Sequence, residues 1–175
     1  MIDNQFISNI ENDKNRIIEG KIIYPYLLEP GIHKIDLELL EEKVLVPFIE
    51  KRTRSHLCNR LRELISVLSS FKVEMIIWID GSFCSIKPNP NDIDLVIFFN
   101  QNDIDSLNAT QQDKFLFFLE NREILRARYG CDLFFDSMTN QKQFHYWRSL
   151  FSYNQLQEAK GFIQIRVNSH EHPYS

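Results

Sequence analysis

At 175 residues, 43% apolar and 13% aromatic with 14 phenylalanines, the chain has the length of one domain and the means to bury a core, which excludes an intrinsically disordered protein. A net charge of −4 and a pI near 5.7 lack the global signature of a nucleic-acid coat protein. Three cysteines, Cys58, Cys84 and Cys131, are an odd number without metal-type spacing; they exclude a disulfide framework and read as core hydrophobes in a reducing cytosol.

Residues 1 to about 20 are rich in Asn and charge and read as a poorly ordered stretch or a short helix, with no basic start and apolar run of a signal peptide. The expected organisation is a polar segment over 1–22 followed by a single domain over 23–175, with its core at about 55–167. "YPYLLEPGIHKID" carries Pro25, Pro30 and Gly31 and predicts an extended arm with a turn. Asp36 is placed to cap a helix running to about Glu50, and Pro47 disturbs its last turn. In "TRSHLCNRLRELISVLSSF" Leu57, Leu61, Leu64, Ile65 and Leu68 recur at helical spacing. "VEMIIWI" (73–79) predicts a strand, Gly81-Ser82 a break, "KPNPN" a loop and "DIDLVIFF" (92–99) a second strand. Residues 109–130 read as one long helix ended by Gly130. "CDLFFD" (131–136) is a third strand, "QFHYWRSLFSY" a helix, and "FIQIRV" (162–167) a last strand. Helices before and between strands imply an α/β or α+β class, with one sheet covered on at least one face. No run approaches the roughly 18 apolar residues that span a membrane, so a cytoplasmic protein is the expectation.

The chemistry concentrates in "WIDGSFCSIKPNPNDIDLVIFF", where Asp92 and Asp94 flank Ile93 at the head of an apolar run. Strand side chains alternate, so both acids face one way, with Cα atoms roughly 6.5–7 Å apart. Two like charges so placed repel, and burying them unaccompanied costs several kcal/mol or forces one to take a proton. A hard divalent cation such as Mg²⁺ removes that penalty, alone or as a pair bridged by the acids. Gly81 permits a tight turn and close approach of a ligand, and Ser82 adds a hydroxyl to backbone N–H donors suited to phosphate. A nucleoside triphosphate with Mg²⁺ suits both features. Asp132, at the start of "CDLFFD", is the candidate third carboxylate, which can orient or deprotonate an attacking hydroxyl; Asp136 lies about 13 Å further along. Asp103-Ile104-Asp105 repeats the acid–apolar–acid pattern without the Gly-Ser turn or a following strand, and reads as a solvated loop or helix cap.

Gly81-Ser82, nine intervening residues and Asp92-Ile93-Asp94-Leu95 resemble the signature of the DNA polymerase beta-like nucleotidyltransferase superfamily. "EPGIH", "DGSF…KPNPNDIDLV" and "AKGFIQI", within about residues 25–167, are similar to an uncharacterised bacterial family with that core. The resemblance implies a small mixed sheet with helices packed on it, and transfer of a nucleoside monophosphate from an NTP to a hydroxyl of a protein or nucleic acid. It implies two Mg²⁺ ions on Asp92 and Asp94, with Asp132 completing the metal site on the acceptor side and Gly81 and Ser82 holding phosphate. Two departures stand out. Asp80 replaces the usual apolar residue before the glycine, and only about 40 residues follow Asp132, where many relatives carry a large helical domain that grips base or acceptor. The resemblance therefore also accommodates a catalytically weak or inactive interaction protein, of the kind that works beside a toxin or in a bacterial defence system. Base recognition is then left to the first 70 residues, to a second subunit or to a protein partner, or is absent.

Each feature has a plainer reading. Lys87 approaches a triphosphate or is a solvated loop lysine. Lys160 faces the site or makes a turn. Lys51, Arg52, Arg54, Arg60 and Arg62 form the solvated side of a helix by default, or else a nucleic-acid-contacting face. "FHYWRSLF" stacks a base or belongs to the core. His33, His56, His145, His170 and His172 make no zinc pattern.

Overall fold

A computed structural model describes residues 1–169, so His170 and His172 of the polar tail lie outside the described residues. The protein is α+β. A mixed five-stranded sheet has the order β3 (Gly31–Lys34), β7 (Gly161–Val167), β4 (Met75–Asp80), β5 (Ile93–Phe99), β6 (Cys131–Ser137). β4 runs antiparallel to both neighbours, while β3–β7 and β5–β6 are parallel pairs. The predicted extended arm thus supplies an edge strand. Ahead of it, β1 (Ile17–Ile18) and β2 (Lys21–Ile22) form a separate two-stranded hairpin turned by Glu19 and Gly20, both at positive φ.

The strands bury both faces. Ile77 and Ile79 of β4, Leu95 and Ile97 of β5 and Leu133 of β6 join the main core, where α3 (Arg52–Ser70) packs its stripe of Leu57, Leu61, Leu64 and Leu68. The alternate residues, Trp78, Val96, Phe98 and Phe162, point to the opposite face and pack under α7 (Gln141–Phe151) with Phe144 and Phe151. Trp78 Nε1 donates to Gln164 Oε1 at 3.0 Å, which satisfies the polar atoms of that layer.

Two helix expectations change. The helix expected from Asp36 to about Glu50 is a 3₁₀ turn, Leu37–Leu39, and one short helix, α2 (Leu40–Val44), that stops before Pro47. The helix expected over 109–130 is two, α5 (Ala109–Glu120) and α6 (Arg122–Tyr129), broken at Asn121, whose φ of −112° and ψ of 46° are not helical. Gly130, at φ 64°, still ends the second. The polar N-terminus forms α1 (Asn4–Glu11), capped by Asp3, and Arg16 pins this region to the far end of the chain through Glu158 at 2.8 and 3.0 Å.

Candidate functional site

Register assembles the site. Asp94 lies opposite Asp80 across β4–β5 and opposite Asp132 across β5–β6, so three acids form a row over three adjacent strands. They share the parity of Trp78, Val96 and Phe134, and therefore project from the face that α7 covers, at the end of the sheet where that cover stops. Asp92 stands one residue before β5, which begins at Ile93 rather than at the expected residue 92. It joins the group from the side and reaches Asp94 electrostatically.

Three of the four carboxylates have counter-ions. The nearly fully buried Asp80 takes both its oxygens to Lys160 Nζ and also accepts from the N–H of Gly81. Burial pushes its carboxyl up, and the Lys160 ammonium opposes this. The charge that precedes the glycine is thus turned onto an internal lysine. Asp132 is held in a two-bond fork by Arg122, at 2.6 and 2.7 Å, and that guanidinium lies 3.9 Å from the Phe134 ring centroid. Asp92 accepts from Arg126 at 2.5 Å. Asp94, mostly buried, has no hydrogen-bond or ion-pair partner among the described residues. Burial first, and then Asp92, Asp80 and Asp132, push its carboxyl from 3.8 to about 6.

The Gly81-Ser82 turn begins a 3₁₀ segment, Gly81–Cys84, directly after β4. At φ +75°, Gly81 occupies the left-handed region, and a Cβ there would stand 1.8 Å from Asp94 Oδ2. Glycine is what lets turn and carboxylate touch. The loop beyond is held from beneath by Arg54, whose guanidinium donates to the carbonyls of Phe83 (2.7 Å), Ser85 (2.6 Å), Lys87 (2.7 Å) and Val44 (3.3 Å) while lying 3.8 Å from the Phe48 ring centroid. Arg54 is fully buried, so it is neither part of a solvated helix face nor available to nucleic acid. Its place on the stripe 54, 57, 61, 64, 68 was the available signal. Cys84 is also buried; desolvation raises its thiol, and its Sγ donates to Ile79 O at 3.3 Å, which makes it a core residue rather than a nucleophile.

A cleft of about 940 Å³ opens over this row. Ser82, Lys87, Asp94, Asp132 and Lys160 are among its lining residues, and Ser82 Oγ makes no hydrogen bond among the described residues. Asp103 and Asp105 are elsewhere, in α4 (Gln101–Asp105).

The donor set is of the kind a hard divalent cation takes: the candidate ligand atoms are carboxylate oxygens, and four acids against three cations leave a surplus negative charge centred on Asp94. Among the described residues, no three His, Cys, Asp or Glu side chains stand close enough to form a metal group in this arrangement, in which Asp92 and Asp132 are turned onto arginines. Residue-by-residue reading omitted those arginines. Their signal was the one-turn spacing of Arg122 and Arg126 on the helix that feeds the Asp132 strand.

Residues 24–166 match the family described as "Family of unknown function (DUF6932)", and the chain belongs to that family. No curated protein and no solved structure matches it. No helix among the described residues is long and apolar enough to cross a membrane.

Proposed function

We propose that this member of the DUF6932 family is a Mg²⁺-dependent nucleotidyltransferase that moves a nucleoside monophosphate from an NTP to a hydroxyl of a protein or nucleic acid. The observation that carries the reading is the register row of Asp94 and Asp132, with the Gly81-Ser82 turn set directly against Asp94. In this reading Asp92, Asp94 and Asp132 would hold two Mg²⁺ ions, which would supply neutralisation of the triphosphate charge. Ser82 and Lys87, which line the same cleft, contact phosphate oxygens. The acceptor oxygen attacks the α-phosphorus, the α–β bridging bond breaks, and pyrophosphate leaves. Asp132, on the acceptor side, orients the hydroxyl and takes its proton. For that role Arg122 and Arg126 must release their acids; both guanidiniums are substantially exposed and can swing towards phosphate.

The test is transfer of label from an α-labelled NTP. Wild-type protein transfers it, while Asp92→Ala and Asp94→Ala, folded by circular dichroism, do not; wild-type transfer by both variants would sink the reading. The two arginine pairs favour one second reading, a catalytically silent nucleotidyltransferase-fold partner of another protein. Its mark would be copurification with a neighbouring protein and no heat of Mg²⁺–NTP binding in calorimetry.

A further inference from the structure

The lining of the cleft includes a second kind of residue, unlike the row of charges. α7 divides its aromatics between two sides. Phe144 and Phe151 turn inward, with ring centroids 4.6 Å from Trp78 and 5.7 Å from Phe162. Tyr146 and Leu150, one helical turn apart, line the cleft together with Trp147 and Phe151, and they are the exposed pair of the four, at 56% and 50%. Tyr153 and Tyr26 line it as well, 51% and 38% exposed. Half-exposed rings on a cleft wall exceed what the core beneath requires, since that face is already closed by Trp78, Phe98, Phe144 and Phe162.

Backbone pairing ties these rings to the charged residues. Tyr26 bridges Ser85, flanked by Leu27 N–H to Cys84 O at 3.0 Å and Ile86 N–H to Pro25 O at 3.0 Å, so it is set beside the loop that follows Ser82. Tyr153 bridges Ala159, and Lys160 N–H donates to Ser152 O at 2.8 Å, which sets that ring beside Lys160. The Arg16–Glu158 fork then fastens the N-terminal region to the same turn. Phosphate-type donors and carboxylates alongside aromatic faces in one cleft are the two kinds of contact a nucleotide takes, and the volume lies within the range of small-molecule sites, about 300–1,000 Å³.

We infer that the nucleobase of the triphosphate stacks on Tyr146, with Tyr26 and Tyr153 enclosing it, so that this chain supplies its own base-binding wall in place of an added helical domain. The inference rests on the nucleotidyltransferase reading above. Stacking accepts any base, because every base has a π face, and is worth about 1–3 kcal/mol per base.

Calorimetry with Mg²⁺ compares a non-hydrolysable NTP with inorganic tripolyphosphate. The wild-type protein binds the NTP more tightly, by roughly tenfold to a hundredfold. Tyr146→Ala combined with Tyr153→Ala removes that advantage and leaves tripolyphosphate affinity unchanged, whereas Tyr146→Phe keeps it. Equal affinities in the wild type, or an advantage that survives the double substitution, overturn the base wall alone. Failure of both ligands to bind overturns the nucleotide site and this inference with it.

Discussion

The chain writes acid–Ile–acid twice within 14 residues, and the two copies do different things. Asp92-Ile93-Asp94 enters a strand: Ile93 drops into the main core while Asp94 projects from the opposite face, between Asp80 and Asp132. Asp103-Ile104-Asp105 sits in α4, where successive residues turn by 100° and side chains two apart point roughly 200° away from each other. Its acids therefore divide. Asp103 Oδ2 accepts from the backbone N–H of Glu74 at 2.7 Å and ties α4 to the start of β4, while Asp105 accepts from Gln101 Nε2 at 2.8 Å on the surface. The same three letters make a charged site on a strand and a structural clasp on a helix. What decides between them is the period of the element and the neighbours it brings into register.

The largest contrast is in turnover. Asp94→Ala is expected to lower label transfer from an α-labelled NTP by on the order of a hundredfold or more, because it removes a carboxylate from the centre of the row, while Asp105→Ala leaves the rate unchanged. Equal losses in the two variants would erase the distinction between the copies. Next comes stability against pH. Asp94 has a folded pKa of about 6 against an ordinary 3.8, so the folded state holds the proton more tightly, and stability falls as pH rises through that window. Asp94→Asn should therefore be more stable than wild type at pH 7–8 by about 1–3 kcal/mol in urea unfolding, with the gain gone below about pH 4. Added Mg²⁺ should narrow the gap at neutral pH by stabilising the wild type alone.

The opposite pattern is expected at the second copy. Asp103→Ala removes a charged acceptor from a partly buried N–H and should cost about 1–2 kcal/mol, seen as a lower urea midpoint, with transfer activity per folded molecule intact. The smallest effect belongs to Asp105→Ala, within about 0.5 kcal/mol of wild type by the same measurement. A destabilisation there as large as at Asp103 would mean that α4 relies on both acids.

How much of this was legible follows the reach of each interaction. The helix over "TRSHLCNRLRELISVLSSF" and the existence of β4, β5 and β6, though not the exact ends of β4 and β5, could be read locally, because burial on one stripe or alternate faces leaves a period in the chain. The break at Asn121 could not, since residues 109–130 keep good helix formers on both sides of it and the turn is taken to lay α6 along β6. The Asp92/Asp94 pair and the Gly81-Ser82 turn were readable as a motif, and the absence of that turn before Asp103 was readable as a difference.

By itself, then, the sequence determined the long helix and the central strands, the alternation that sends Ile93 and Asp94 to opposite faces, and the glycine that permits the tight turn after β4. Only the tertiary structure decided which charges meet. Lys160 reaches Asp80 across 80 residues and Arg126 reaches Asp92 across 34, while Arg54 leaves the surface to hold the loop after Ser82. A counter-ion is chosen by distance through space and by the loss of water around it, and neither quantity is written in the order of residues along a chain.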